Sequence, residues 1–220
     1  SLELFSTSGK LLAGYFDAAK YSAETLAWSP DSRYVAVTAT STRGVGLMSL
    51  YLIDTSTLKR RLVANGVFAG ASFNPASTRF VFGMSDSQAI SAPVNLYTAG
   101  VTDGRATQIT DNGDSFDPVW ARTGIVFDRS TSRGTSKAPV FQLWLLRGGT
   151  LRQLTKLKIP ALLDGLSPLA ADADGNRLIA EYTGTDTSQA WTVQLSPLKV
   201  QEVQVGGAPV QGGEISSNGQ

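Results

Sequence analysis

Along residues 26–38 two short apolar runs flank a polar turn. Leu26, Ala27 and Trp28 form the first run, Ser29, Pro30, Asp31 and Ser32 interrupt it, and Tyr34, Val35, Ala36 and Val37 form the second. Pro30 fixes its own φ and suits the first central position of a tight turn. Asp31 and Ser32 bond back to local backbone, which favours a turn over regular structure. The flanking runs are rich in aromatic and β-branched residues, which suit a pleated, half-buried surface. The stretch predicts a β-hairpin, with Trp28 large enough to anchor it against a neighbouring unit.

The pattern returns along the chain. Trp28-Ser29-Pro30-Asp31-Ser32 aligns with Phe73-Asn74-Pro75-Ala76-Ser77, then with Trp120-Ala121-Arg122 before Gly124. It continues as Ala171-Asp172-Ala173-Asp174-Gly175 and Ile215-Ser216-Ser217-Asn218-Gly219. The position of Pro30 recurs at 75, 122, 173 and 217, at intervals of 45, 47, 51 and 44 residues. A period of about 40–50 residues carrying four short strands marks a β-propeller blade.

Each interval holds four predicted strands. The first has Leu26–Trp28, Tyr34–Thr40, Met48–Asp54 and Arg60–Ala64. The second has Gly70–Phe73, Phe80–Met84, Asn95–Ala99 and Thr107–Thr110. The third has Pro118–Trp120, Ile125–Asp128, Gln142–Leu146 and Leu151–Thr155. The fourth has Leu169–Ala171, Arg177–Tyr182, Trp191–Leu195 and Val200–Val205. Turns at 102–105 and 147–150 place Gly where a positive φ is needed. Lys156–Leu166 has several apolar residues, but Pro160 interrupts it, so it reads as a loop with at most one helical turn.

The reading is therefore all-β: antiparallel four-stranded blades, about four of them complete, with partial blades at both ends. The repeats run roughly 1–24 (partial), 25–66, 67–110, 111–155, 156–205 and 206–220 (partial). Leu2–Phe5 and Leu11–Leu12 read as outer strands of a preceding blade, and 213–220 as the opening of a following one. Because exposed strand edges are a liability, the expectation is a piece of a larger propeller chain.

Composition narrows the classes. The chain has 220 residues, 42% hydrophobic, with 22 Gly and 9 Pro, which suits a sizeable all-β core with many turns. Formal net charge is +1 and no Lys/Arg run occurs, so no nucleic-acid surface is expected. No stretch of about 18 apolar residues is present, so no membrane-spanning helix is expected.

With these residues in place, the chain resembles the TolB-like (WD-repeat-like) β-propellers. The resemblance rests on Trp28-Ser29-Pro30-Asp31-Ser32-Arg33-Tyr34-Val35-Ala36-Val37, on Gln108-Ile109-Thr110 followed by Asp117-Pro118-Val119-Trp120, and on Arg152-Gln153-Leu154-Thr155. It covers nearly the whole chain. The third repeat departs by lacking the turn Pro, and the fourth has Ala171 where the family has an aromatic. The resemblance implies a periplasmic or extracytoplasmic scaffold, and a family of this breadth does not transmit one activity.

The chain has no His and no Cys, which removes Ser-His-Asp and Cys-His nucleophile systems and any His or Cys metal site. No cofactor is expected. Asp172, Asp174, Gly175 and Asn176 are spaced like the start of a calcium loop, but they run straight into a strand at the repeat's turn and lack the downstream acidic ligand. Gly44, Gly46, Gly148 and Gly149 are not followed by Lys-Ser/Thr and do not make a phosphate loop. Asp111, Asn112, Gly113, Asp114 and Asp117 form an acidic loop before a first strand, and Tyr21, Glu24 and Asp164 occupy comparable places in other repeats. Tyr21, Glu24, Asp114, Asp117 and Asp164 are thus the candidate ligand- or partner-binding residues, a polar mouth for a cation or peptide amine; the competing account is turn formation and strand capping. Arg129, Arg133 and Lys137 lie on a polar loop that would meet an acidic partner, or would simply be a solvated excursion.

The functional expectation is a non-catalytic propeller binding a protein or peptide through one face, because a rigid ring displays freely varying loops. The alternative is an accessory or gating propeller of a larger enzyme such as a serine peptidase, recognisable by a Gly-x-Ser-x-Gly segment outside this chain. A glycan-active enzyme using Asp114 and Asp117 ranks last, since its acids would have to stand apart across a pocket.

Overall fold

In the computed structural model, which describes residues 2–43, 46–89, 92–130, 140–158, 163–184 and 188–210, the turn at 29–34 is built by its first residue. The Ser29 N–H donates to the Tyr34 carbonyl at 2.8 Å, and the Ser29 hydroxyl accepts the Tyr34 N–H at 2.8 Å while donating to Asp31 at 2.6 Å. Ser32 closes the turn at φ 58°. The same geometry recurs at 74–79 and 172–177. Asn74 Oδ1 accepts the N–H groups of Thr78 and Arg79, and Asp172 Oδ1 those of Asn176 and Arg177. Ser77 and Gly175 take the left-handed position, at φ 56° and 62°. Ser, Asn and Asp at one repeat position thus do one job, folding the local backbone onto a side-chain oxygen. Asp172 uses that oxygen as a turn residue. The third repeat makes a shorter turn, with Ala121 directly opposite Gly124.

The chain divides into two units, Ser1–Gly113 and Asp114–Gln220. In the first, β1 (Leu2–Phe5) and β2 (Leu11–Tyr15) form an antiparallel hairpin. A seven-stranded sheet follows in chain order: β3 (Tyr21–Trp28), β4 (Tyr34–Ser41), β5 (Met48–Asp54), β6 (Lys59–Phe73), β7 (Arg79–Ser85), β8 (Asn95–Gly100) and β9 (Thr107–Gln108). The 15-residue β6 serves two repeats: its first part, Lys59 to Gly66, pairs with β5, and its second, Val67 to Phe73, pairs with β7.

The second unit carries β10 (Ser115–Ala121), β11 (Gly124–Ser130), β12 (Phe141–Arg147) and β13 (Thr150–Gln153), an antiparallel meander. A second meander has β14 (Leu163–Ala171), β15 (Arg177–Gly184), β16 (Ser188–Leu195) and β17 (Leu198–Glu202). A small hairpin, β18 (Gln204–Val205) and β19 (Ala208–Pro209), ends the described chain. One parallel bridge, Phe141 to Gly165, joins the two meanders. No helix occurs among the described residues. The architecture is the expected all-β one, with antiparallel four-stranded repeats. The expected opening strand in 213–220 lies outside the described residues.

The first strand of each repeat is longer than the sequence predicts. β3 starts at Tyr21 rather than Leu26, β10 at Ser115 rather than Pro118, and β14 at Leu163 rather than Leu169, inside the segment read as a loop. The cause is a β-bulge in each: at Leu26, at Gly70 in β6, at Asp117-Pro118 and at Leu169. An extra residue shifts the in–out alternation by one, so the period-2 pattern breaks in mid-strand.

Two apolar clusters fill the first unit. One joins Tyr34, Ala36, Leu50 and Leu52 of the first repeat to Phe73, Phe80, Phe82 and Ala99 of the second. The other packs Val35, Val37 and Ile53 against Tyr15 and Phe16, with Leu2, Leu4 and Ala13 at its edge. The second unit has a single cluster between its meanders, centred on Val126, Leu143, Leu166, Leu178 and Val193. Trp28 as an anchor is a correction. Trp28 is 51% exposed. It pairs with Val35 across β3 and β4 and shares that face, which a hairpin of only two strands covers. Trp120 is half-buried, and its neighbours Val119 and Ala121 enter the core instead. Phe73, at the same repeat position, is buried with its ring 5.2 Å from Phe80.

The Gln-x-Thr segments have a structural role. The Thr110 hydroxyl accepts the Leu96 N–H at 2.8 Å, and the Thr155 hydroxyl accepts the Leu143 N–H at 2.9 Å. The amides of Gln108 and Gln153 donate to the carbonyls of Thr110 and Thr155, at 2.7 and 2.8 Å. Each threonine ends an outer strand by replacing a ladder bond with a side-chain one. Thr155→Val keeps the shape but leaves the Leu143 N–H unsatisfied. We expect it to cost about 1–3 kcal/mol in a chemical-denaturation midpoint; a change within error would show that the hydroxyl is dispensable.

Candidate functional site

Among the described residues, the sequence-chosen carboxylates Asp114 and Asp117 gather at the seam between the two meanders of the second unit. The β10 bulge creates it. Phe116 pairs with Asp128 and Val119 with Val126, so Asp117 and Pro118 are left out of register, with Asp117 at φ 43°. Asp128 lies on β11, whose neighbours Val126 and Phe127 are fully buried, and is itself 3% exposed. Its Oδ2 accepts a hydrogen bond from the Ser167 hydroxyl of β14 at 2.9 Å, across the seam. Its Oδ1 is buried without a hydrogen-bond partner. Asp114, just before β10, is also buried.

These surroundings favour a proton on Asp128. Burial pushes its carboxyl up to about 8, the charge of Asp117 adds to the rise and Asp114 adds further, while the Ser167 hydrogen bond works the other way. Burial also raises Asp117. Arg129 follows Asp128 in sequence but points to the other face of β11, with its guanidinium 4.8 Å from the Trp144 ring centroid. The arrangement favours a neutral carboxylic acid at Asp128 over a carboxylate. No group of three acidic residues arranged to hold a metal ion occurs among the described residues.

The other candidates are placed elsewhere. Tyr21, at the start of β3, is exposed and meets Phe16 edge-on at 5.9 Å; the Arg60 guanidinium lies 4.5 Å from the same Phe16 ring. Glu24 is exposed on β3 opposite Thr38. Both belong to the first unit, and Asp114 and Asp117 to the second. Asp164 is in β14, with its side chain outside the described residues, as are Arg133 and Lys137. Asp111 is exposed, and the loop after it is tied to β8: Gly113 donates to Asn95 Oδ1 at 2.8 Å and accepts the Val94 N–H at 3.2 Å. Gly148 and Gly149 form the β12–β13 hairpin turn, both at positive φ.

Sequence reasoning missed Asp128 and Ser167. The repeat itself carried the signal. Aligned on their turns, the second strands place Thr38, Gly83, Asp128 and Glu181 in one column, paired with Glu24, Ala69, Phe116 and Ser167. An acid in that column, amid Ile125, Val126 and Phe127, calls for an explanation, because Asp is rarely buried without a partner.

No family model matches the chain, and no curated protein matches it. Solved structures do. TolB from Acinetobacter baumannii is 16% identical, with 94% of this chain covered, 48% of that one, and a TM-score of 0.63. An acylaminoacyl peptidase from Pyrococcus horikoshii is 13% identical over 90% of this chain and 33% of that one, with a TM-score of 0.59. An oligogalacturonate lyase from Vibrio parahaemolyticus is 14% identical over 92% of this chain and 58% of that one, with a TM-score of 0.58. At these identities the likeness shows the fold, that of a TolB-like β-propeller. The chain spans about half the length of the TolB structure it matches. No helix among the described residues is long and apolar enough to cross a membrane.

Proposed function

We propose that the chain is propeller structure of a non-catalytic, extracytoplasmic protein that binds a protein or peptide through one face. The observation that carries the reading is the polarity of the meanders. At the turn ends the strands of each repeat are joined by two to six residues, from 122–123, 148–149 and 196–197 to 74–78 and 101–106. The opposite strand ends of the second and third repeats are joined by the longer segments 86–94 and 131–140. Variable loops on a rigid scaffold are where recognition concentrates. The absence of His and Cys and the burial of Asp114 and Asp128 support a non-enzymatic role. The likeness to TolB supports the extracytoplasmic setting.

Replacing 86–94 and 131–140 by short Gly-Ser connections should abolish partner capture from extracts of the producing organism. Substituting the exposed turn-end residues Arg33, Thr57 and Arg105 should leave it intact. Equal capture by both variants overturns the reading. A gating domain of a larger hydrolase is the second reading, supported by the likeness to the acylaminoacyl peptidase. A Gly-x-Ser-x-Gly nucleophile turn encoded beside this segment would decide for it.

A further inference from the structure

We propose that Asp117 and Asp128 together hold one proton, and that this proton is a built-in pH control on the joint between the two meanders of the second unit. Asp128 joins them physically: it sits on β11 and takes the hydroxyl of Ser167 on β14. One oxygen is thus committed across the seam, and the other is buried without a partner beside the bulge that carries Asp117. A charged Asp128 would leave that oxygen as an unsolvated anion next to another acid.

No described positive group compensates. On β11, Arg129 faces the other way, over Trp144 of β12. Arg147 and Arg177 stand at the turn ends of β12 and β15, where those strands stop and start. Glu181 on β15 accepts the Ser188 hydroxyl, and Tyr182 packs into the core beside Trp191. Before and on β10 the titratable groups are Asp114 and Asp117, and on β14 the acid is Asp164. The charged groups with resolved effects on Asp128 are Asp117 and Asp114, both acids, which favour retaining the proton against the opposing Ser167 hydrogen bond.

The sign follows from linkage. A carboxyl that keeps its proton in the folded chain and loses it in the unfolded chain makes folding take up a proton. Stability therefore falls as pH rises from the ordinary carboxylate range, about 4, up to the folded value of about 8, and is level above it. The proton contributes most in acid.

The test is thermal unfolding of the whole chain between pH 5 and pH 9, for the parent and for Asp128→Asn, which keeps an acceptor for Ser167 and cannot titrate. The parent's melting temperature should fall across pH 5–8, and that slope should be markedly shallower in Asp128→Asn, leaving the variant more stable than the parent at pH 8. Asp117→Asn should move the parent's transition to lower pH. Parallel slopes in parent and Asp128→Asn overturn the proposal. Should the variant not fold, the infrared carboxylic-acid carbonyl band of the parent decides: a band that persists at pH 7 and disappears by pH 9 supports the shared proton, and no such band above pH 6 refutes it.

Discussion

Phe82→Ala is expected to destabilise the first unit by about 3–5 kcal/mol, the range for removing a buried aromatic and leaving its cavity. Phe82 is fully buried, and its ring lies 6.0 Å from Phe68, 5.5 Å from Phe80 and 5.9 Å from Tyr97. These rings come from β6, β7 and β8, so the hole would open across three strands that cannot collapse independently. Trp28→Ala supplies the contrast. Half of Trp28 is already in water, so its truncation should cost less, about 1–3 kcal/mol, scaled from the area still buried. Denaturant midpoints for the two variants check this. Equal losses would mean that Trp28, and not the phenylalanine cluster, anchors the first unit.

Gly175→Ala should be among the most damaging single-methyl changes in the second unit. Its left-handed backbone alone is not the reason, because Ser32 and Ser77 hold the same turn position with side chains attached. What distinguishes Gly175 is its neighbour. A Cβ there would overlap the main-chain nitrogen of Arg122, whose N–H donates to the Gly175 carbonyl at 3.2 Å. The two turns must part, breaking the bond and loosening the docking of one meander on the other. We expect a loss of about 2–5 kcal/mol, from about 1–2 for the backbone and about 1–3 for overpacking. Ser32→Gly, which removes an exposed side chain at the equivalent turn position, should change stability by only a few tenths to about 1 kcal/mol. If Gly175→Ala unfolds at the same denaturant concentration as the parent, the close approach of the turns is not real.

The repeat was legible because its turns are chemically over-determined. Ser29, Asn74 and Asp172 each carry an oxygen that folds the following backbone, and the strands behind them alternate cleanly. Second and third strands, such as Met48–Asp54, match the sequence expectation because both their faces are covered or they alternate without interruption. The first strands were cut short for the opposite reason. Tyr21 to Thr25 and Gly165 to Pro168 pair normally, but the bulge that follows shifts their phase, and the polar composition of the former gives no other sign.

Trp28 shows a different limit. Size predicted an anchor, but what covers a sheet face depends on how many strands lie opposite it, which no local window contains. The acidic loop was read as one group by proximity in sequence. The fold instead brings Asp114 and Asp117 to Asp128 through a strand pairing and to Ser167 through a sheet seam 39 residues from Asp128 along the chain. Buried acids of that kind become visible only when repeats are compared column by column.

Strand β6 has a consequence for how this chain can be divided. Outer strand of one repeat and inner strand of the next, it passes from β5 to β7 at Gly66 and Val67 without a loop. At that point a Cβ on Gly66 would stand 2.6 Å from the Ser85 carbonyl. A boundary drawn at the sequence repeat therefore falls inside continuous backbone pairing, where a cut, an insertion or a swapped module would sever two sheets at once. The permissive junctions lie within repeats, at exposed turns such as 56–58, so the first two repeats behave as one inseparable building block although the sequence writes them as two.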